Sequence, residues 1–280
     1  MKAFLTLLVV TLTALASIPA SADDTCGQLV KVDIRDGETQ SYSYGTPDQA
    51  PIAALVLLAG GGGALDLDEN GCARNLKGNT LTRNVATLRE AGFVTALTDA
   101  PSDYQSGDGL GAFRGTSSHG DDLGDVIADV RGRTAAPVYV VGSSRGTISA
   151  VNAAAYLSGI SAPEGVILFS PITSGRENAY KAWVAQTVFD EPLEDIHQPI
   201  LVVAHESDAC ARTPADKAPD ILARTNGVAE EMVIVTGGPA TNTGVKGVKA
   251  CQGKYPHGFG GQDKLVVELI TDFVGKAAQR

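Results

Sequence analysis

The stretch Val138–Val151, VYVVGSSRGTISAV, sets two serines side by side between two glycines, where an apolar run gives way to a helix-like one. The apolar run reads as a buried strand and the residues after Gly146 as the start of a helix, so the serines stand on the turn between them. Ser144 has a glycine two residues away on each side, Gly142 and Gly146, whereas the same positions around Ser143 are Val141 and Arg145. A sharp strand-to-helix turn leaves little space for β-carbons at those two places, so Ser144 is the side chain the turn presents.

Outward from this turn, short runs rich in Val, Ile and Leu alternate with amphipathic ones. Strands are expected at IAALVLLA, FVTALTD, PVYVVGS, GVILFS, PILVVAH and EMVIVTG. Helices are expected over Leu81–Ala91, Asp121–Arg133, Arg145–Leu157, Tyr180–Val188, Ala215–Thr225 and Lys264–Ala278. Continuously apolar strands imply a buried, mostly parallel sheet, and regular alternation places helices on both of its faces. Ligands in such α/β folds lie beyond the carboxyl ends of the strands.

Residues 1–22 carry Lys2, the apolar run AFLTLLVVTLTALASI and then PASA, the pattern of a secretory leader, leaving 23–280 as one domain. No later stretch has the roughly 18 apolar residues of a membrane span, so no stable membrane insertion is expected after leader removal. Without Lys2 the chain holds 21 basic and 32 acidic residues, a formal charge of −11, which disfavours nucleic acid. The expected location is exported, periplasmic or extracellular. There the four cysteines, Cys26, Cys72, Cys210 and Cys251, can pair; none forms a CxxC, and no metal site is expected from them.

A serine hydroxyl becomes a nucleophile when a histidine removes its proton and a carboxylate orients that histidine. Of the four histidines, His257 lies in the glycine-rich YPHGFGG loop after the last strand and ahead of the final helix. His205 ends a strand, His119 sits near a helix start and His197 precedes a strand; structural or surface roles are expected for these. Asp208 stands three residues past the strand PILVVAH, whereas the other acids weighed, Asp190 and Glu194, precede it.

The order Ser144, Asp208, His257 on this βα alternation resembles the α/β-hydrolase superfamily over nearly the whole chain after the leader. AGGGG, DAPSD, FRGTSSHGDD, GSSRGT, SDAC and PHGF are similar to a group of secreted bacterial α/β-hydrolases without assigned substrates. The resemblance implies an α/β-hydrolase fold with a small lid or none, and Ser144 as nucleophile, His257 as base then acid, and Asp208 fixing its tautomer. It implies oxyanion donors from the Arg145 N–H and from Gly61 or Gly62 in LVLLAGGGGALDL, although the histidine that often precedes such glycines is missing. The implied activity is cleavage of a small-molecule or polymeric carboxylic ester through an acyl-enzyme, without a cofactor. A peptidase or amidase with the same triad, or a non-catalytic binder on this scaffold, are the alternatives.

The same loop fails as a phosphate cradle, since Leu65 replaces the last glycine of G-x-G-x-x-G counted from Gly60 and no Lys-Ser/Thr follows. Asp66, Asp68, Asn70 and Gly71 match half of a calcium loop, but Lys77 stands where the bidentate glutamate belongs. Arg145 is expected in a buried ion pair, with a substrate carboxylate as the other reading. Tyr104, Phe113 and Arg114 are candidates for the rim of the cleft, with an ordinary surface or packing role as the equal alternative for each. Finally, Cys210 follows Asp208 by two residues and Cys251 precedes His257 by six. If acid and base meet, those cysteines approach each other, which pairs Cys210 with Cys251 and leaves Cys26 for Cys72.

Overall fold

The structure, a computed structural model, describes residues 26–241 and 243–279; the expected leader lies outside them. Eight strands form one sheet: β1 (Gln28–Asp33), β2 (Thr39–Gly45), β3 (Ala53–Leu58), β4 (Phe93–Pro101), β5 (Val138–Ser143), β6 (Gly165–Phe169), β7 (Ile200–His205) and β8 (Glu230–Val235). Their spatial order is β1-β2-β4-β3-β5-β6-β7-β8. From β4 to β8 every pairing is parallel, while β1 and β2 join antiparallel at one edge. Strands β3, β5, β6 and β7 are buried at every position, as the unbroken apolar runs require of strands covered on both faces.

Two apolar layers cover the sheet. On one face Leu123, Val126, Ile127 and Val130 of α3 (Ser117–Arg133) and Ile148, Val151 and Ala154 of α4 (Gly146–Tyr156) pack on the even residues of β3. On the other, Leu81 of α1 (Thr80–Arg83), Val85 and Leu88 of α2 (Val85–Glu90), and Val266, Ile270 and Phe273 of α6 (Asp263–Ala277) pack on Leu55 and Leu57. The sixth helix, α5 (Pro219–Leu222), adds Ile221 to the first layer.

Several expected helices differ. The run Leu81–Ala91 divides at Asn84, whose side chain donates to Thr80 O (2.8 Å) and Asp263 Oδ1 (3.0 Å). Ala215–Thr225 is interrupted because Pro219 starts α5 afresh after a 3₁₀ turn. Tyr180–Val188 is no α-helix: it holds a 3₁₀ turn at Ala182–Val184, and a second opens at Val188–Asp190. There Thr187 accepts from Phe189 N while Asp190 accepts from Thr187 N, so side chains take the donors a continuing helix would use. Strands β1 and β2 were not expected.

Candidate active site

The turn at Ser144 follows from steric exclusion. Ser144 adopts φ 53°, a left-handed conformation that a residue with a β-carbon adopts at an expense of about 1–2 kcal/mol. Its N–H donates to Phe169 O (2.9 Å), and its carbonyl accepts from Thr147 N (2.9 Å) and Thr147 Oγ1 (2.6 Å). A β-carbon at Gly142 would lie 2.6 Å from Gly146 O, and one at Gly146 would lie 2.0 Å from Leu58 O. Ser143 closes β5 with its hydroxyl against Asn79 Nδ2 (3.4 Å); both serines line a pocket of about 260 Å³ together with Gly61, Asn79, Cys251 and His257, Ser143 buried and Ser144 partly exposed.

His257 sits in the 3₁₀ turn Pro256–Gly258, 4% exposed. Its Nδ1 lies 3.0 Å from Asp208 Oδ2, and Thr213 Oγ1 lies 2.7 Å from that same oxygen and 3.0 Å from Nδ1. Asp208 Oδ1 accepts from Cys210 N (2.8 Å). With Nδ1–H turned to the carboxylate, Nε2 is left as the basic nitrogen. The loop is fastened from three sides: Ser170 Oγ donates to His257 O (2.7 Å), Thr80 Oγ1 to Gly258 O (2.9 Å), and Arg83 Nη2 to Gly258 O (2.6 Å). The Cys210–Cys251 disulfide ties the loop of Asp208 to that of His257, and Cys26–Cys72 ties the start of the described chain to the segment after the glycine loop.

That glycine loop, Gly60–Gly63, follows β3. A β-carbon at Gly60 would lie 2.8 Å from Ser143 O and 2.9 Å from Ser144 Cβ, so only glycine lets the loop approach the turn. Gly61 and Gly63 have φ 59° and 80°. Among the described residues no acceptor takes the N–H of Gly61, Gly62 or Arg145. Of these three residues only Gly61 lines the pocket.

Other sequence expectations fare variously. His205 packs as expected, Nε2 on Gly237 O (3.0 Å) and Gln262 Oε1 (3.1 Å), and His197 is exposed. Asp190 is absorbed by its turn, and Glu194 is exposed. Among the described residues Arg145 makes no ion pair: its guanidinium stacks 3.9 Å from the Trp183 ring centroid and donates to Gly111 O (3.3 Å). Burial and the nearby Arg212 lower its pKa to about 10. Arg114 is no rim residue; it is 1% exposed beneath the glycine loop, because the chain after Tyr104 folds back under that loop instead of over the cleft. Tyr104 and Phe113 stack on each other (4.2 Å) under Arg35. Asp66 pairs with Arg74 (3.2 Å) and Asp68 Oδ1 closes a turn onto Asn70 N and Cys72 N, so the half calcium motif is spent on local structure. Asp208, Cys210 and His257 bring possible ligand atoms within 4.8 Å, but the Cys210 sulfur is in a disulfide and offers no thiolate. Thr213, which touches both Asp208 and His257, carried no signal in the sequence.

No family model matches the sequence, and no curated protein does either. Solved structures do. A dienelactone hydrolase from Anabaena variabilis aligns with TM-score 0.58 at 15% identity, covering 89% of this chain and 96% of its own. A cold-adapted esterase from an Arctic intertidal metagenomic library aligns with TM-score 0.55 at 14% identity, covering 86% of this chain and 92% of its own. The chain has the α/β-hydrolase fold. An α/β serine hydrolase homologue from Coxiella burnetii has the same α/β-hydrolase architecture, with TM-score 0.56 at 13% identity over 90% of this chain and 99% of its own. In this fold the four loops that meet here leave the carboxyl ends of β3, β5, β7 and β8.

Proposed function

We propose that the protein is an exported serine hydrolase that cleaves small carboxylic esters through an acyl-enzyme. The observation carrying this is that Ser144, held on a left-handed turn, shares a pocket with His257, whose Nδ1 is fixed at 3.0 Å by Asp208. His257 Nε2 takes the Ser144 proton as Oγ attacks the ester carbonyl, and the oxyanion is met by the free N–H groups of Arg145 and of Gly61 or Gly62. The imidazolium, stabilised by Asp208, then protonates the departing alkoxide. Water, deprotonated by the same ring, attacks the acyl-serine and releases the acid. Because about 260 Å³ lies below the usual 300–1,000 Å³ of ligand sites, short acyl and alcohol groups are favoured. Two disulfides, and no helix among the described residues long and apolar enough to cross a membrane, support export.

A fluorophosphonate probe tests the reading directly. The expected outcome is a single adduct on the Ser144 peptide, with turnover of short-chain esters exceeding that of matched amides. No adduct on folded protein would reject hydrolysis by Ser144, and equal ester and amide turnover would reassign the enzyme as an amidase.

A further inference from the structure

Arg114 is among the largest fully buried side chains of the described residues, and no carboxylate pairs with it. Its partners are neutral: Nη1 donates to Ser149 Oγ (2.7 Å), and Nη2 to Ala59 O (3.1 Å) and Gly61 O (3.4 Å). Nε has no partner. Ser149 Oγ is also 2.9 Å from Nε2 of the buried His119, and Asn152 Nδ2 holds the Arg114 carbonyl (2.9 Å). A β-carbon on Gly63 would lie 2.8 Å from Arg114 Nη2, so glycine at that position makes space for the guanidinium. The same segment gives a second support: Leu110 N donates to Gly62 O (2.8 Å), at a place where a β-carbon on Gly109 would collide with Gly62 O at 2.2 Å.

An unpaired buried charge is unfavourable, and proteins keep such groups rarely. Here the guanidinium holds the carbonyls of Ala59 and Gly61, and because the C=O and N–H of a trans peptide point opposite ways, the N–H groups that share those peptides, on Gly60 and Gly62, are turned away from it. It also places a fixed positive charge behind the spot where the oxyanion forms, in surroundings of low dielectric. Burial and the neighbouring Arg145 lower its pKa, and an arginine keeps its proton at working pH even so.

We infer that Arg114 is a positioning residue for ester hydrolysis: by holding the Gly61 carbonyl it fixes the Gly61–Gly62 peptide, whose Gly62 N–H is the oxyanion donor, and it supplies the uncompensated positive charge behind it. The inference rests on the serine hydrolase reading above. Ser149 and His119 hold the guanidinium in place without approaching the substrate.

The test uses the full mature protein with its disulfides intact, comparing wild type, Arg114→Lys, Arg114→Gln and Ser149→Ala. Each is assayed for kcat and KM on a short-chain ester and for inhibition by a trifluoromethyl ketone, whose adduct with serine carries the oxyanion. Arg114→Gln should lose roughly 10- to 100-fold in kcat with KM within about threefold, and the ketone's affinity should fall by a similar factor. Arg114→Lys, keeping charge without the fork, should fall between Arg114→Gln and wild type, with Ser149→Ala closest to wild type. If the Arg114 variants do not fold, Ser149→Ala, which removes one of the guanidinium's hydrogen bonds, carries the test through a smaller loss of kcat matched by an equal loss of the ketone's affinity. Unchanged kcat, or a kcat loss with the ketone's affinity unmoved, in folded variants would overturn the role of Arg114 while leaving the enzyme a hydrolase. A wild type that neither labels nor turns over esters would instead remove the hydrolase reading itself.

Discussion

At the scale of single residues, two adjacent serines separate by backbone conformation. Ser144 occupies the left-handed region and is partly exposed, while Ser143 ends a strand, buried, with its hydroxyl against Asn79. Ser144→Ala should therefore abolish fluorophosphonate labelling and lower kcat by at least about 10³-fold, whereas Ser143→Ala should stay within about tenfold of wild type. Equal losses in two folded variants would reject the distinction. Ser144 was legible because the two flanking glycines encode the turn locally. Arg114 and Thr213 were not: one stood open between rim, surface and packing and the other went unnoticed, since their places depend on which distant loops fold over or beside them.

At the scale of elements, the parallel strands were readable because burial on both faces makes each a continuous apolar run. β1 and β2 escaped because they alternate half-buried and polar residues, QLVKVD and TQSYSYG, a weaker signal at a sheet edge. The helix expected at Tyr180–Val188 failed because Trp183 is drawn onto Arg145 and Thr187 and Asp190 cap a new turn. The disulfides act on different elements. Cys210–Cys251 spans 41 residues and joins the loops bearing Asp208 and His257; Cys26–Cys72 spans 46 and fastens β1 to the segment after the glycine loop. Chain-entropy reasoning assigns each about 4 kcal/mol, less any native strain. Replacing Cys210 and Cys251 by serine should lower both the unfolding midpoint and kcat, by loosening acid from base. Replacing Cys26 and Cys72 should lower the midpoint by a similar amount with kcat within about threefold of wild type. Urea unfolding alongside ester kinetics separates the two, and an unchanged kcat without Cys210–Cys251 would show the catalytic loops to be held by their hydrogen bonds alone.

For the molecule as a whole, two titratable groups, the buried His119 and the half-buried Glu191, pull stability in opposite directions with pH. His119, packed on Phe113 and Ser149, has its pKa lowered from 6.5 to about 3, first by burial and then by Arg114 and Arg35. The unfolded chain takes a proton near pH 6.5 that the folded chain refuses, so this contribution is complete above pH 6.5 and is lost as pH falls toward 3. Glu191 is the reverse case: burial, then Asp190, raise its pKa from 4.5 to about 7. The folded chain keeps a proton that the unfolded chain releases, so stability is full below pH 4.5 and declines as pH rises through 7. Glu191→Gln replaces the protonated acid by a neutral group of the same shape. It should leave stability nearly unchanged at pH 4 and raise it at pH 8 by about 1–2 kcal/mol, the raw shift being discounted because the carboxyl is partly exposed. Comparing each variant with wild type at the same pH cancels the carboxylates common to both. His119→Gln should flatten the fall in stability between pH 6.5 and 4, though removing the Ser149 contact lowers the whole curve. Urea midpoints at pH 4, 6 and 8 for the three proteins decide it: a Glu191→Gln effect of equal size at pH 4 and pH 8 would mean that packing, and not the retained proton, sets the contribution of this residue.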